Sequence, residues 1–231
     1  MAGFFDLKDE AQAKEYLDQV GVEYRFQCFS EGRPDGCHRL ADYLEAFKHE
    51  YDKARKLYAK NCDENHYGIS CFKLGNYCFL GRACTQDFLA AFDAYRRGCA
   101  YGNGASCYNA ALLMEDGRGK SDGSKDFVAA AELLRIGCKA NDMPACFRLS
   151  NYYITGKEGV EPDMKQAFIY AKMACDKDHI LACHNLTLMY AQGKGTEQNQ
   201  KLADFYKKKT LGLHKASTEG TTEIKFGEWI A

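Results

Sequence analysis

The chain has 231 residues, 46% of them hydrophobic, and a formal net charge of −1 at pH 7. That length supports one or two ordinary domains with a substantial core, and near-neutral charge points to neither a nucleic-acid nor a membrane surface. No run approaches the roughly 18 consecutive apolar residues of a membrane span, so proteins are the expected partners.

Cysteine is the unusual component. Twelve are present, a density out of place in a reducing cytosol. The N-terminal MAGFFDLKDEAQAKEYL has neither a basic segment followed by an apolar one nor the Arg-rich, acid-poor character of a mitochondrial presequence. The two observations are reconciled if the chain reaches an oxidising compartment without a cleavable signal, as in the mitochondrial intermembrane space. The initiator-like Met1 counts against a bacterial secreted chain whose signal has been removed. The sequon Asn185-Leu-Thr187 would matter only in a secretory compartment, and its place inside a repeat reads as chance.

Ten of the cysteines fall into five sequence pairs with first members at Cys28, Cys62, Cys99, Cys138 and Cys175, spaced by 34, 37, 39 and 37 residues. The second members are Cys37, Cys71, Cys107, Cys146 and Cys183. A period of this size marks a repeat protein. In chain order the units run over about 11–47, 50–83, 87–120, 126–160 and 163–197. The first is degenerate, with Val20 and Phe47 where the others have alanine and glycine. The later units open on an acid, Glu50, Asp87, Asp126 or Asp163, suited to the positive end of a helix. Four residues on comes Ala54, Ala91, Ala130 or Ala167, eight before the first cysteine. This is helix A. After the second cysteine, apolar residues recur at helical spacing around a small residue, Ala41, Gly75, Ala111, Ser150 or Thr187. Gly81, Gly117, Gly156 or Gly193 then suits a left-handed helix end. This is helix B.

Each unit is an αα-hairpin that cannot bury its apolar face alone, so stacked units share a core. The expected fold is all-α, an α-solenoid over 1–215. Asn199, Ala203 and Leu211 repeat the helix A pattern without the cysteine, predicting a capping helix over 199–214 whose Lys207, Lys208, Lys209 and Lys215 form a solvated outer face. Residues 216–231 read as a mobile tail, with Phe226, Trp229 and Ile230 able to pack into a groove.

The unit A-x3-[YFL]-x3-C-x7-C-x2-L-[GAS]-x2-[YLM]-x2-G, with loops such as Gly193-Lys194-Gly195, resembles the Sel1-like repeat, a relative of the tetratricopeptide repeat. Five cysteine-paired units, the opening MAGFFDLKDE and the PDGCHRLADYLEAF segment at 34–47 make it similar to the Sel1-repeat respiratory chain assembly factors, over essentially residues 1–215. The resemblance implies a soluble, monomeric, non-enzymatic scaffold of the intermembrane space. It would serve biogenesis of respiratory complexes, chiefly complex IV and also complex I, holding complex subunits or other assembly factors on a concave surface after import by the oxidative machinery.

Within such a repeat the first cysteine lies in the last turn of helix A and the second in the first turn of helix B, and one local pairing satisfies all five units. The expected staples are Cys28 with Cys37, Cys62 with Cys71, Cys99 with Cys107, Cys138 with Cys146 and Cys175 with Cys183, each contributing about 2 to 3 kcal/mol. Zinc is a competing reading, without the close C-x2-C knuckles it usually takes. Catalytic redox is another, without the C-x-x-C motif. Cys78 occupies an apolar helix B slot and reads as a buried hydrophobe, and Cys84 follows in a loop. Both are expected as free thiols, a mutual bridge being the alternative.

No catalytic residue or metal ligand set is expected. His38 and His184 hold a position filled elsewhere by aromatics, so packing is the leading role and haem ligation the minor one, the only cofactor considered. Ser70-Cys71-Phe72-Lys73 matches S-x-x-K without its companion motifs. The loop at 115–126 lacks the spacing of a calcium or phosphate loop. Two rivals remain. One is a thiol-disulfide reductase, haem-assisted, acting on cysteine-rich copper chaperones. The other is a bacterial secreted cysteine-rich Sel1-like protein.

Overall fold

The computed structural model describes residues 9–222, with side-chain surroundings through 218. These residues form the helices α1 (Glu10–Phe29), α2 (Pro34–Ala46), α3 (Tyr51–Asn65), α4 (Gly68–Leu80), α5 (Phe88–Ala100) and α6 (Gly104–Asp116). They continue with α7 (Phe127–Lys139), α8 (Met143–Thr155), α9 (Met164–Asp176), α10 (Ile180–Gln192) and α11 (Gln200–Thr222). Among the described residues there is no strand beyond one isolated bridge, Lys157 to Val160. Two compact units divide the chain, α1 to α6 ending at Ser124 and α7 to α11 starting at Lys125. Within each, every helix packs on its neighbour in sequence.

Helices α3, α5, α7 and α9 begin at the acids singled out above. Asp87, Asp126 and Asp163 accept hydrogen bonds from the backbone N–H groups of Ala90, Ala129, and Lys165 with Gln166. Glu50 makes no such bond, and its carboxylate pairs with Lys53 at 2.8 Å instead. Its longer side chain is poorly suited to the short cap geometry.

Each even-numbered helix through α10 starts so that the second cysteine is its fourth residue. One residue before the helix, Asn103, Asp142 and His179 cap it by accepting from Ser106, Ala145 and Ala182. One residue earlier still, every connection turns at a left-handed residue: Gly32, His66, Gly102, Asn141 and Asp178, with φ from +53° to +83°. Glycine adopts this conformation freely, and Asn, Asp and His tolerate it better than most side chains.

Ala54, Ala91, Ala130 and Ala167 are fully buried, as are Ala41, Ala111 and Ser150. The reason is close approach of neighbouring helices. At Gly75 a Cβ would stand 2.4 Å from the Tyr95 ring. Gly81, Gly117 and Gly193 end their helices in the left-handed region, whereas Gly156, at φ 71° and ψ 159°, turns the chain into a conformation almost confined to glycine.

Two expectations are corrected. The last helix runs to Thr222, past the expected end of the capping helix at 214, so residues 216–222 are helical. Nothing in 215–219 (KASTE) breaks a helix, and the hydroxyls of Ser217 and Thr218 fold back onto the carbonyl of His214. Phe226, Trp229 and Ile230 lie outside the described residues. Lys209, moreover, is not on a solvated face: its side chain is 25% exposed and its ammonium donates to the main-chain oxygen of Cys175 at 2.7 Å.

Candidate interaction site

The five cysteine pairs are disulfide-bonded as the repeat suggests, Cys28–Cys37, Cys62–Cys71, Cys99–Cys107, Cys138–Cys146 and Cys175–Cys183, with Cα separations of 4.3 to 4.8 Å. All ten sulfurs belong to buried residues, none above 7% exposed. The disulfides are thus part of the core, and they clamp the end of one helix to the start of the next. That arrangement suits a frame whose surfaces keep their shape without a partner.

Cys78 and Cys84 are unbonded and half-buried. Cys78 packs against the apolar cluster drawn from α1 to α5, while the Cys84 thiol donates to the carbonyls of Tyr77 and Arg82 at 3.6 and 3.5 Å. Burial, reinforced by the nearby Cys84, pushes the Cys78 thiol up and suppresses its thiolate.

His38 is held by its whole surroundings. Nδ1 is hydrogen-bonded to Ser70 Oγ at 3.0 Å, Nε2 lies 3.4 Å from Asp42, and the ring packs beside Tyr58 and Tyr67 with centroids 5.6 Å away. A haem iron would have to displace one of these partners. His184, by contrast, is exposed on α10.

Ser70, His38 and Asp42 have the composition of a nucleophilic triad, which sequence reading missed because the three lie on two helices. The geometry argues for structure. Ser70 is 0% exposed, and its oxygen already accepts from Asn61 at 2.8 Å. Burial holds the His38 imidazole below its ordinary value, so it is neutral and positions rather than carries charge. Lys73, the other half of the S-x-x-K match, is turned to Asp42 and Glu45 at 3.2 Å each. Burial and a hydrogen bond to Asp42 keep the Tyr58 phenol protonated at all ordinary pH.

Two depressions are large enough for a ligand or a partner segment. In the first unit a groove of about 690 Å³ lies among α1, α2 and α3, floored by Leu40, Tyr43 and Leu44. In the second, a cleft of about 1110 Å³ is bordered by Glu132, Arg135, Tyr153 and the loops at 159–165 and 193–197. Among the described residues no cluster of three or more His, Cys, Asp or Glu side chains is placed to hold a metal ion, and no helix is long and apolar enough to cross a membrane.

The Sel1 repeat model matches residues 34–66, 68–103, 104–142, 144–179 and 180–203. These repeats are drawn one helix out of phase with the cysteine-paired hairpins, so that each of the last four disulfides joins one matched repeat to the next. The chain is 39% identical to cytochrome c oxidase assembly factor 7 of Xenopus tropicalis over 99% of its own length and 100% of that protein's. It is 37% identical to the Homo sapiens protein of that name, over 98% and 100%. Among solved structures, a Sel1 repeat protein from Oxalobacter formigenes matches with a TM-score of 0.69 at 21% identity, covering 91% of this chain and 84% of that one, which is a likeness of fold. The matched repeats, the stapled all-α architecture and the full-length likeness together place this chain in the Sel1 repeat family, in its cytochrome c oxidase assembly factor 7 group.

Proposed function

We propose that the protein is an assembly factor for mitochondrial respiratory complexes, chiefly cytochrome c oxidase and also complex I, and that it works in the intermembrane space as a non-enzymatic scaffold. The observation that carries this reading is the full-length likeness to proteins named cytochrome c oxidase assembly factor 7. Five buried disulfides support the location, because such bonds persist where thiols are kept oxidised. They also support the mode of action, since a pre-stiffened surface loses little conformational entropy when it captures a subunit.

The test is deletion of the gene followed by complementation. Loss of assembled cytochrome c oxidase on native gels, with restoration by the wild-type chain, is expected. Protection from protease in intact mitochondria, lost once the outer membrane is ruptured, is the expected localisation result. Normal oxidase content in the deletion strain would overturn the proposal. A chain purified in the cytosol with reduced cysteines would overturn the location.

A further inference from the structure

We infer that the groove of the first unit receives an acidic amphipathic helix of a partner protein. This rests on the scaffold reading above and adds to it the chemistry of what is held.

The walls of the groove have helical spacing. Along α1 they are Asp18, Gly21, Val22, Arg25 and Phe29, positions i, i+3, i+4, i+7 and i+11, and along α3 they are Lys53, Lys56, Leu57 and Lys60. From Asp18 to Phe29 the α1 wall extends about 16 Å, three helical turns. Ridges at such spacing interdigitate with another helix.

The floor is apolar because Gly21 lets α1 close onto α2. A Cβ there would stand 2.6 Å from the Tyr43 ring. Val22 and Phe29, on the rim, are left 64% and 63% exposed, which costs hydration free energy that a partner's apolar face would recover. At about 690 Å³ the groove has room for several side chains.

Charge chooses the partner. Arg25, Lys48, Lys53, Lys56 and Lys60 line the groove against only Asp18 and Glu50. Lys48 is engaged by Asp18 at 2.7 Å and Lys53 by Glu50 at 2.8 Å. Arg25 and Lys56, both exposed on opposite walls, have no ion pair among the described residues. A chain of net charge −1 thus concentrates positive charge around one apolar trough. An incoming helix with leucines on one face and carboxylates on both flanks satisfies floor and walls together. A polyanion without an apolar face would leave the floor uncovered.

Fluorescence anisotropy of the full chain tests this with two labelled, helix-constrained 16-residue peptides. Both carry leucine at i, i+3, i+4 and i+7, one with glutamate and the other with lysine at the remaining surface positions. The glutamate peptide is expected to bind at least tenfold more tightly. Val22→Asp and the double variant Arg25→Glu, Lys56→Glu should each weaken it tenfold or more without shifting the melting temperature, while Val128→Asp, exposed in the second unit, leaves it unchanged. Equal binding of the two peptides, indifference to the groove variants, or tighter association with vesicles of anionic phospholipid would overturn the inference. The same variants are then used to complement the deletion. If wild type and groove variants restore cytochrome c oxidase equally, the docking inference falls and the assembly reading stands. If wild type binds the glutamate peptide but restores nothing, the assembly reading falls.

Discussion

Lys209 on α11 donates to the main-chain oxygen of Cys175 at 2.7 Å and pairs with Asp178 at 2.8 Å, tying the last helix to the end of α9 at the fifth disulfide. A helix C-terminus presents unsatisfied carbonyls and partial negative charge, so an ammonium there satisfies both. Lys209→Met keeps the aliphatic stem and removes the charge. It should lower stability by about 1 kcal/mol, a figure kept small because Asp178 is exposed. Urea denaturation measures it, with Lys207→Met, fully on the surface, as the reference. Equal midpoints for the two variants would show that the tie contributes nothing.

The disulfides predict a pattern of thiol chemistry. After alkylation of the native chain, mass spectrometry should find label only at Cys78 and Cys84, with Cys78 slower than a free cysteine at the same pH because burial raises its pKa. Replacing both Cys175 and Cys183 by serine should cost about 2 to 3 kcal/mol in the chain-entropy account. Label appearing at a repeat cysteine without denaturant would contradict a purely structural role.

At Gly75 the Tyr95 ring occupies the place of a side chain, and Tyr95 donates to Asn76 at 2.7 Å, so the ring is not free to swing away. Gly75→Val should therefore destabilise the first unit by about 2 to 3 kcal/mol through overpacking, whatever helix propensity it gains. Unaltered melting of this variant would mean that α4 and α5 can separate at little cost.

The left-handed residue of each staple connection gives a local test. Asn141 has φ +62°, where a β-branched side chain clashes with its own backbone. Asn141→Gly is expected to be neutral or slightly stabilising. Asn141→Val should cost about 1 to 2 kcal/mol. Similar melting temperatures for the two would argue that the connection rearranges.

Stability should depend on pH through two histidines. His38 and His179 both have imidazoles held below the ordinary 6.5, in each case chiefly by burial, although Asp42 and Asp142 pull the other way. His179 is also a cap, its Nδ1 accepting from Ala182 at 3.3 Å, a role protonation of that nitrogen destroys. The unfolded chain binds these protons first, so the stabilisation is complete above about 6.5 and is lost as pH falls through the lower folded values. Urea midpoints at pH 7.5 and 5.5 should differ, and His179→Asn, which retains a capping acceptor, should narrow the difference. An unchanged difference would assign the whole effect elsewhere.

What the sequence determined by itself was the periodic part. The spacing from Cys28 to Cys175 and, in the last four units, the alanines eight residues before the first cysteine and the glycines ten after the second each encode a local requirement, a close approach or a positive-φ turn, that repeats because the unit repeats. The caps at Asn103 and Asp142 are equally local, each an Asn or Asp four residues before the second cysteine, at Cys107 and Cys146. Tertiary structure decided the rest. Lys209 meets Cys175 across 34 residues, His38 meets Ser70 across 32, and the groove needs α1, α2 and α3 together. Such partnerships depend on which faces of non-adjacent segments become neighbours and how far water is excluded between them. Both are properties of the packed chain, and no spacing along it records them.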